Sequence, residues 1–127
     1  MARRVPIAAS LAVAALAVGG CGSEGVQVPK DNPHHAGAVA FAAKCGSCHT
    51  IAAAGTQGST TNVADKENVD GPNFDQRAED KKDVLFAIAN GGFSGAIMPE
   101  NIATGREAEQ IAAFLEEYSG REKDTGG

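Results

Sequence analysis

The run Cys45-Gly46-Ser47-Cys48-His49 constrains this chain more than any other stretch. Two cysteines three residues apart, with a histidine directly after the second, form the attachment signature of c-type haem. On one helical turn, thiols at that spacing lie on the same face. There each can form a thioether to one haem vinyl group. The imidazole that follows is then held under the iron as its proximal axial ligand. The pattern predicts one covalently attached haem c, with Cys45 and Cys48 on the porphyrin and His49 on the metal. A group so placed points to a protein that moves electrons.

Other chemistries use a Cys-x-x-Cys pair. A thioredoxin-like redox motif follows a strand in a βαβ pattern. Here the approach, Ala36 to Lys44, is Ala-rich and reads as helix. A structural zinc site usually takes four Cys or His ligands. The only other cysteine is Cys21, so zinc would have to recruit His34 or His35.

Six-coordinate iron suits an electron carrier, and it needs a second axial ligand. The methionines are Met1, in a segment expected to be removed, and Met98. Met98 sits in a loop-like stretch from Gly91 to Pro99. A loop can bring a thioether over a haem face. The plainer role for such a residue is a flexible core filler. His34 or His35 could instead complete a bis-His iron, but both lie in a Pro/Gly-containing stretch that reads as solvated linker.

The order Cys45-x-x-Cys48-His49, Gly71-Pro72-Asn73-Phe74, Met98-Pro99 and a terminal amphipathic helix resembles a class I cytochrome c domain. The resemblance covers about residues 36 to 120. It implies an all-α fold of about three to five short helices around one covalent haem. It implies that the Pro72 carbonyl accepts a hydrogen bond from the His49 ring, fixing its tautomer and raising its basicity. It supports Met98 as the ligand opposite His49. It also implies that the first and last helices pack through a small residue and aromatics, here Gly37 and Phe41 against Phe114 and Tyr118. One departure is plain. A polar run from Thr56 to Asp70, longer than in compact members, precedes Gly71 and reads as a surface loop.

The chain opens Met1-Ala2-Arg3-Arg4, then runs apolar from Val5 to Val18 with Ser10 inserted. Two positive charges before such a run read as a secretory signal. The run is shorter than the ~20 residues of a transmembrane helix. Val18-Gly19-Gly20-Cys21 resembles a bacterial lipobox, which implies cleavage before Cys21 and a diacylglycerol on its thiol. Ordinary cleavage leaving a free Cys21, or an uncleaved anchor, are the alternatives. Lipidation accounts for all three cysteines: one for lipid, two for haem. The expected place is the extracytoplasmic face of a bacterial cell membrane.

Four segments follow: a signal peptide over 1–20, lipidated Cys21 with a flexible linker over 21–36, a cytochrome domain over 37–120, and a polar tail over 121–127. From Gly22 the linker has a typical span of roughly 20 Å and a contour of about 50 Å. The domain could then swing between partners while confined near the membrane.

Within the domain, residues 37–48 read as a first helix ending in the haem motif. Glu79 to Ala89 is amphipathic. Thr104 can cap a last helix, with Glu107 closing a capping box. Ile111, Phe114, Leu115 and Tyr118 follow helical spacing, and Gly120 ends it. No extended alternation suggests a sheet.

The formal charge is −5, and removal of Arg3 and Arg4 lowers it by two, to −7. This disfavours nucleic acid and anionic lipid as charge-driven partners. It favours redox partners, a donor and an acceptor, with basic docking faces. The resulting expectation is a tethered monohaem electron carrier in which no side chain has a catalytic role. The competing reading is a haem enzyme or gas sensor with an open iron position, for which Arg77 or Arg106 would have to fold near the iron.

Overall fold

The computed structural model describes residues 25–59, 71–93 and 97–121. The expected signal segment, Cys21, most of the polar loop before Gly71 and the tail beyond Arg121 lie outside them. Three α-helices carry the architecture: α1 (His35–Lys44), α2 (Lys81–Asn90) and α3 (Gly105–Tyr118). Among the described residues, no helix is long and apolar enough to cross a membrane.

The core is the crossing of α1 on α3. Ile111, Phe114 and Leu115, with Ala108 and Ala112, form the buried stripe of α3. Their i, i+3, i+4 spacing puts them on one face. Phe41 on α1 meets Phe114 with ring centroids 5.8 Å apart. Gly37, one turn earlier, makes this approach possible, because a Cβ there would lie 2.8 Å from Phe114 Cβ and closer still to the Gln110 carbonyl oxygen. Val84 and Ile88 bury the inner side of α2. Lys44–Glu107 at 3.1 Å and Lys81–Glu109 at 2.7 Å tie α1 and α2 to α3. Solvent screens exposed pairs of this kind, so apolar packing sets the arrangement.

The fold is not purely all-α as expected. Thr50–Ile51 (β1) and Thr56–Gln57 (β2) pair antiparallel, Thr50 opposite Gln57 and Ile51 opposite Thr56, around a single 3-10 turn at Ala52–Ala54. Strands of two residues are too short to show alternation in a sequence. Side chains complete their bonding. The Ser59 amide donates to Thr50 Oγ1 at 2.9 Å, and the Thr50 amide donates to Ser59 Oγ at 3.0 Å. The Ile51 amide donates to Thr56 Oγ1. Buried polar groups are thus paired, as burial requires.

Three further expectations change. The first helix stops at Lys44 rather than running to residue 48. The amides of Cys45 and Gly46 both donate to the Phe41 carbonyl, and residues 45–48 continue as turns. Thr104 does occupy the N-cap of α3, but no side-chain cap bond forms there. Glu107 pairs with Lys44 instead of closing a capping box.

The last change is at the N-terminal side, where the expected linker is folded onto the domain well before residue 37. Val28 is buried, and the Gln27 amide donates to the Ala53 carbonyl at 2.9 Å. His35 Nδ1 donates to the Val28 carbonyl at 2.8 Å. Asn32 donates to the Tyr118 hydroxyl, and the His34 ring stands edge-on to Tyr118. The two histidines are therefore docking residues of this strap rather than solvated linker positions. Apolar and polar partners supplied by the hairpin and by α3, remote in sequence, decide this.

Candidate haem site

The site begins where α1 ends. The turn at 45–48 brings Cys45, Cys48 and His49 out of one five-residue stretch, and the His49 amide donates to the Cys45 carbonyl at 2.9 Å. Both cysteines are free thiols. Cys45 is buried, and desolvation pushes its thiol up to about 12, with nearby Lys44 opposing and Glu107 adding to the shift. Cys48 is half-buried, with Ser47 Oγ 3.7 Å from its sulfur.

A second segment closes over the imidazole. The Gly71 amide donates to the Cys48 carbonyl at 2.7 Å, and Asn73 makes a parallel bridge with Thr50. This brings the Pro72 carbonyl oxygen to 3.1 Å from His49 Nδ1. A carbonyl only accepts, so Nδ1 carries the proton and Nε2 is the ring nitrogen left with its lone pair. Burial lowers the His49 pKa, the Pro72 bond opposing it. The ring is therefore neutral at physiological pH, the form that ligates metal. Gly71 lies against the ring itself. A Cβ there would crowd Nδ1, Cε1 and Nε2 together, with Nε2 the farthest of the three at 2.6 Å.

Met98 lies in the connection from α2 to α3, half-buried against the core. Gly91 ends α2 in the left-handed region at φ 70°, and the Asn101 amide donates to the Ile88 carbonyl at 2.7 Å. The chain that follows Met98 is thereby fastened to the C-terminal end of α2. Arg77 is taken up by Glu79, and Arg106 is exposed in the first turn of α3.

These residues suit a covalently bound haem c. Two unpaired thiols stand beside a neutral imidazole whose Nδ1 is committed to Pro72, with a glycine where any side chain would strike the ring. Among the described residues, no group of three or more His, Cys, Asp or Glu gathers to serve the zinc alternative, and Cys21 lies outside them. The thioredoxin alternative lacks its strand, since the motif follows α1.

Comparison with known families settles the class. A family model described as cytochrome c oxidase, cbb3-type, subunit III matches residues 32–115. The chain belongs to this family. The matched segment is a class I monohaem c-type cytochrome domain, and it binds haem c covalently. Searches of curated proteins and of solved structures gave no significant match. The cytochrome match opens at residue 32, inside the strap that the structure shows docked on α3. Haem-based electron transfer with redox partner proteins follows from the family.

Sequence reasoning brought Cys45, Cys48, His49, Gly71 and Pro72 to one place, and the structure gathers them there. It quoted Phe74 only as part of the motif. Phe74 in fact lies face to face with the His49 ring, centroids 4.7 Å apart and planes 12° apart. No local pattern signalled this stack, which arises where the bridge between Thr50 and Asn73 sets the two segments side by side.

Proposed function

We propose that the protein is a membrane-tethered carrier of single electrons, with Cys45 and Cys48 as thioether residues, His49 and Met98 as the axial pair, and Cys21 as the lipidated anchor. The observation that carries the reading is the 3.1 Å bond from His49 Nδ1 to the Pro72 carbonyl. It holds the imidazole in the tautomer that presents Nε2 to a metal. Bound haem c supplies a one-electron couple at its iron. The chain's part is to hold that group by two thiols, fix the imidazole plane and exclude water with Phe41 and Phe74. Donor and acceptor are redox proteins, and the family's description as an oxidase subunit supports an oxidase as one such partner.

The test is made on full-length protein matured with haem in an exporting host. The haem should survive acid-acetone extraction, and ferric protein should show the weak long-wavelength charge-transfer band of Met-ligated haem c. A thioether favours ferrous iron. Met98→Ala should therefore remove the band, lower the reduction potential and admit cyanide or carbon monoxide. Wild-type protein that lacks the band and binds carbon monoxide readily would make the open-iron enzyme or sensor the better reading.

The anchor is tested separately. Cys21→Ala should abolish labelling by a fatty-acid analogue and release the protein from the membrane fraction, with the haem spectrum unchanged. Labelling that persists would remove Cys21 as the lipid site.

A further inference from the structure

The geometry points to Phe74 as a positioning residue that sets the rotation of the axial imidazole, and this rests on His49 being the iron ligand. Three features support it. The Phe74 ring is nearly parallel to the His49 ring, with planes 12° apart and centroids at 4.7 Å. Phe41 also approaches the imidazole, but at 6.3 Å and 56°, the tilted contact of ordinary core packing. The Phe74 main chain is fastened on both sides. Its amide donates to the Thr50 carbonyl at 2.8 Å, and its carbonyl accepts from the Gly120 amide at 2.7 Å. Thr50 directly follows the ligand, so the stacked ring is held in register with His49 itself. Phe41 stands beside the stacked pair, edge-on to Phe74 at 5.9 Å and 68° and 6.3 Å from His49, so it bounds both rings along one edge.

The imidazole is otherwise free in one respect. A single hydrogen bond at Nδ1 allows the ring to rock about its Cβ–Cγ bond. Rocking lengthens the bond to Pro72 and moves Nε2 off its line. An aromatic ring stacked on one face opposes that motion, because tilting breaks face-to-face contact over the whole ring. Phe74 thus acts through His49: it keeps the Nδ1–H bond short and the imidazole plane fixed. A well-held Nδ1–H bond makes the ligand more basic, which favours the ferric state and keeps the potential lower than a loosely held imidazole would.

Phe74→Leu and Phe74→Tyr separate positioning from bulk packing. Leucine keeps an apolar side chain at this buried site but has no face to stack. Tyrosine restores the ring. In full-length haem-loaded protein, Phe74→Leu should retain its haem. Its ferric electron paramagnetic resonance should show altered and broadened g values. The His49 Nδ1–H should exchange with solvent faster by about five- to tenfold, and the potential should rise. Phe74→Tyr should restore all three. A Phe74→Leu protein with wild-type g values and wild-type exchange would overturn the inference. Should Phe74→Leu fail to load haem, ferrous wild-type protein decides by proton NMR. Cross-peaks between the Phe74 ring and the His49 ring protons are expected, and their absence would equally overturn it. Failure of the ligand reading itself is distinct. It would appear as a low-spin His-ligated spectrum that persists in His49→Ala.

Discussion

Gly71→Ala should cut haem incorporation by about tenfold or more, the scale on which disturbing a ligand's supporting shell acts. The reason is purely steric. Gly71 is not among the glycines in the left-handed region, so alanine costs no backbone strain there. The added methyl would overlap the His49 ring, lying 2.6 Å from Nε2 and closer to Nδ1 and Cε1. Neither side can yield cheaply. Gly71 is tied to the Cys48 carbonyl, and the imidazole is held by Pro72 and Phe74. The ring must leave the position in which Nε2 faces a metal. Pro72→Ala is the contrasting variant. Pro72 contributes a main-chain oxygen, which alanine keeps, so its haem content should stay near wild type. Pyridine haemochrome content per protein, compared across the three proteins, checks both statements. Equal haem in Gly71→Ala and wild type would show that the His49 ring does not occupy this position in the mature protein.

Gly37→Ala should destabilise the haem-loaded domain by about 3 kcal/mol, at the upper end of overpacking costs. Its Cβ would meet Gln110 main-chain atoms and the Phe114 Cβ, both rigid parts of α3. To restore ordinary contact, one helix must recede by about 1 Å from the other. That movement loosens the Phe41–Phe114 contact beneath the haem motif. For a domain of this size, with a net stability of about 5–15 kcal/mol, the loss is a large fraction. Ala36→Gly, an exposed position one residue away, should cost no more than about 1 kcal/mol from helix propensity alone. Urea unfolding followed by the haem absorbance gives both numbers. A Gly37→Ala midpoint within error of wild type would mean that α1 and α3 do not cross at Gly37.

The haem-attachment motif was legible because its chemistry is local. Two thiols and an imidazole must come from adjacent residues, so their spacing is written in five consecutive letters. The last helix was legible for a related reason. Its buried stripe repeats at helical period, and the N-cap position Thr104 and the stop at Gly120 lie where the pattern begins and ends. Glu107 shows the limit of that reading. The capping-box spacing is present, yet the carboxylate pairs with Lys44 on another helix, a partner that no local pattern reveals.

The remaining features depend on contacts between distant segments. The hairpin at 50–57 has strands too short to carry a periodic signal, and it is fastened by Ser59 and Thr56 side chains. The segment expected as linker has linker composition, but Gln27, Asn32 and His34 find partners that folding assembles from the turn at Ala52–Ala54 and from α3. Phe74 has the same origin. A phenylalanine two residues after Pro72 reads as core, and its parallel stack on His49 exists because the bridge between Thr50 and Asn73 sets one segment against the other. The order of residues alone was enough to mark Cys45, Cys48 and His49 as the candidate haem-binding groups, since their spacing is local. The fold decided how firmly the imidazole is held, because orientation is fixed by groups converging from several parts of the chain.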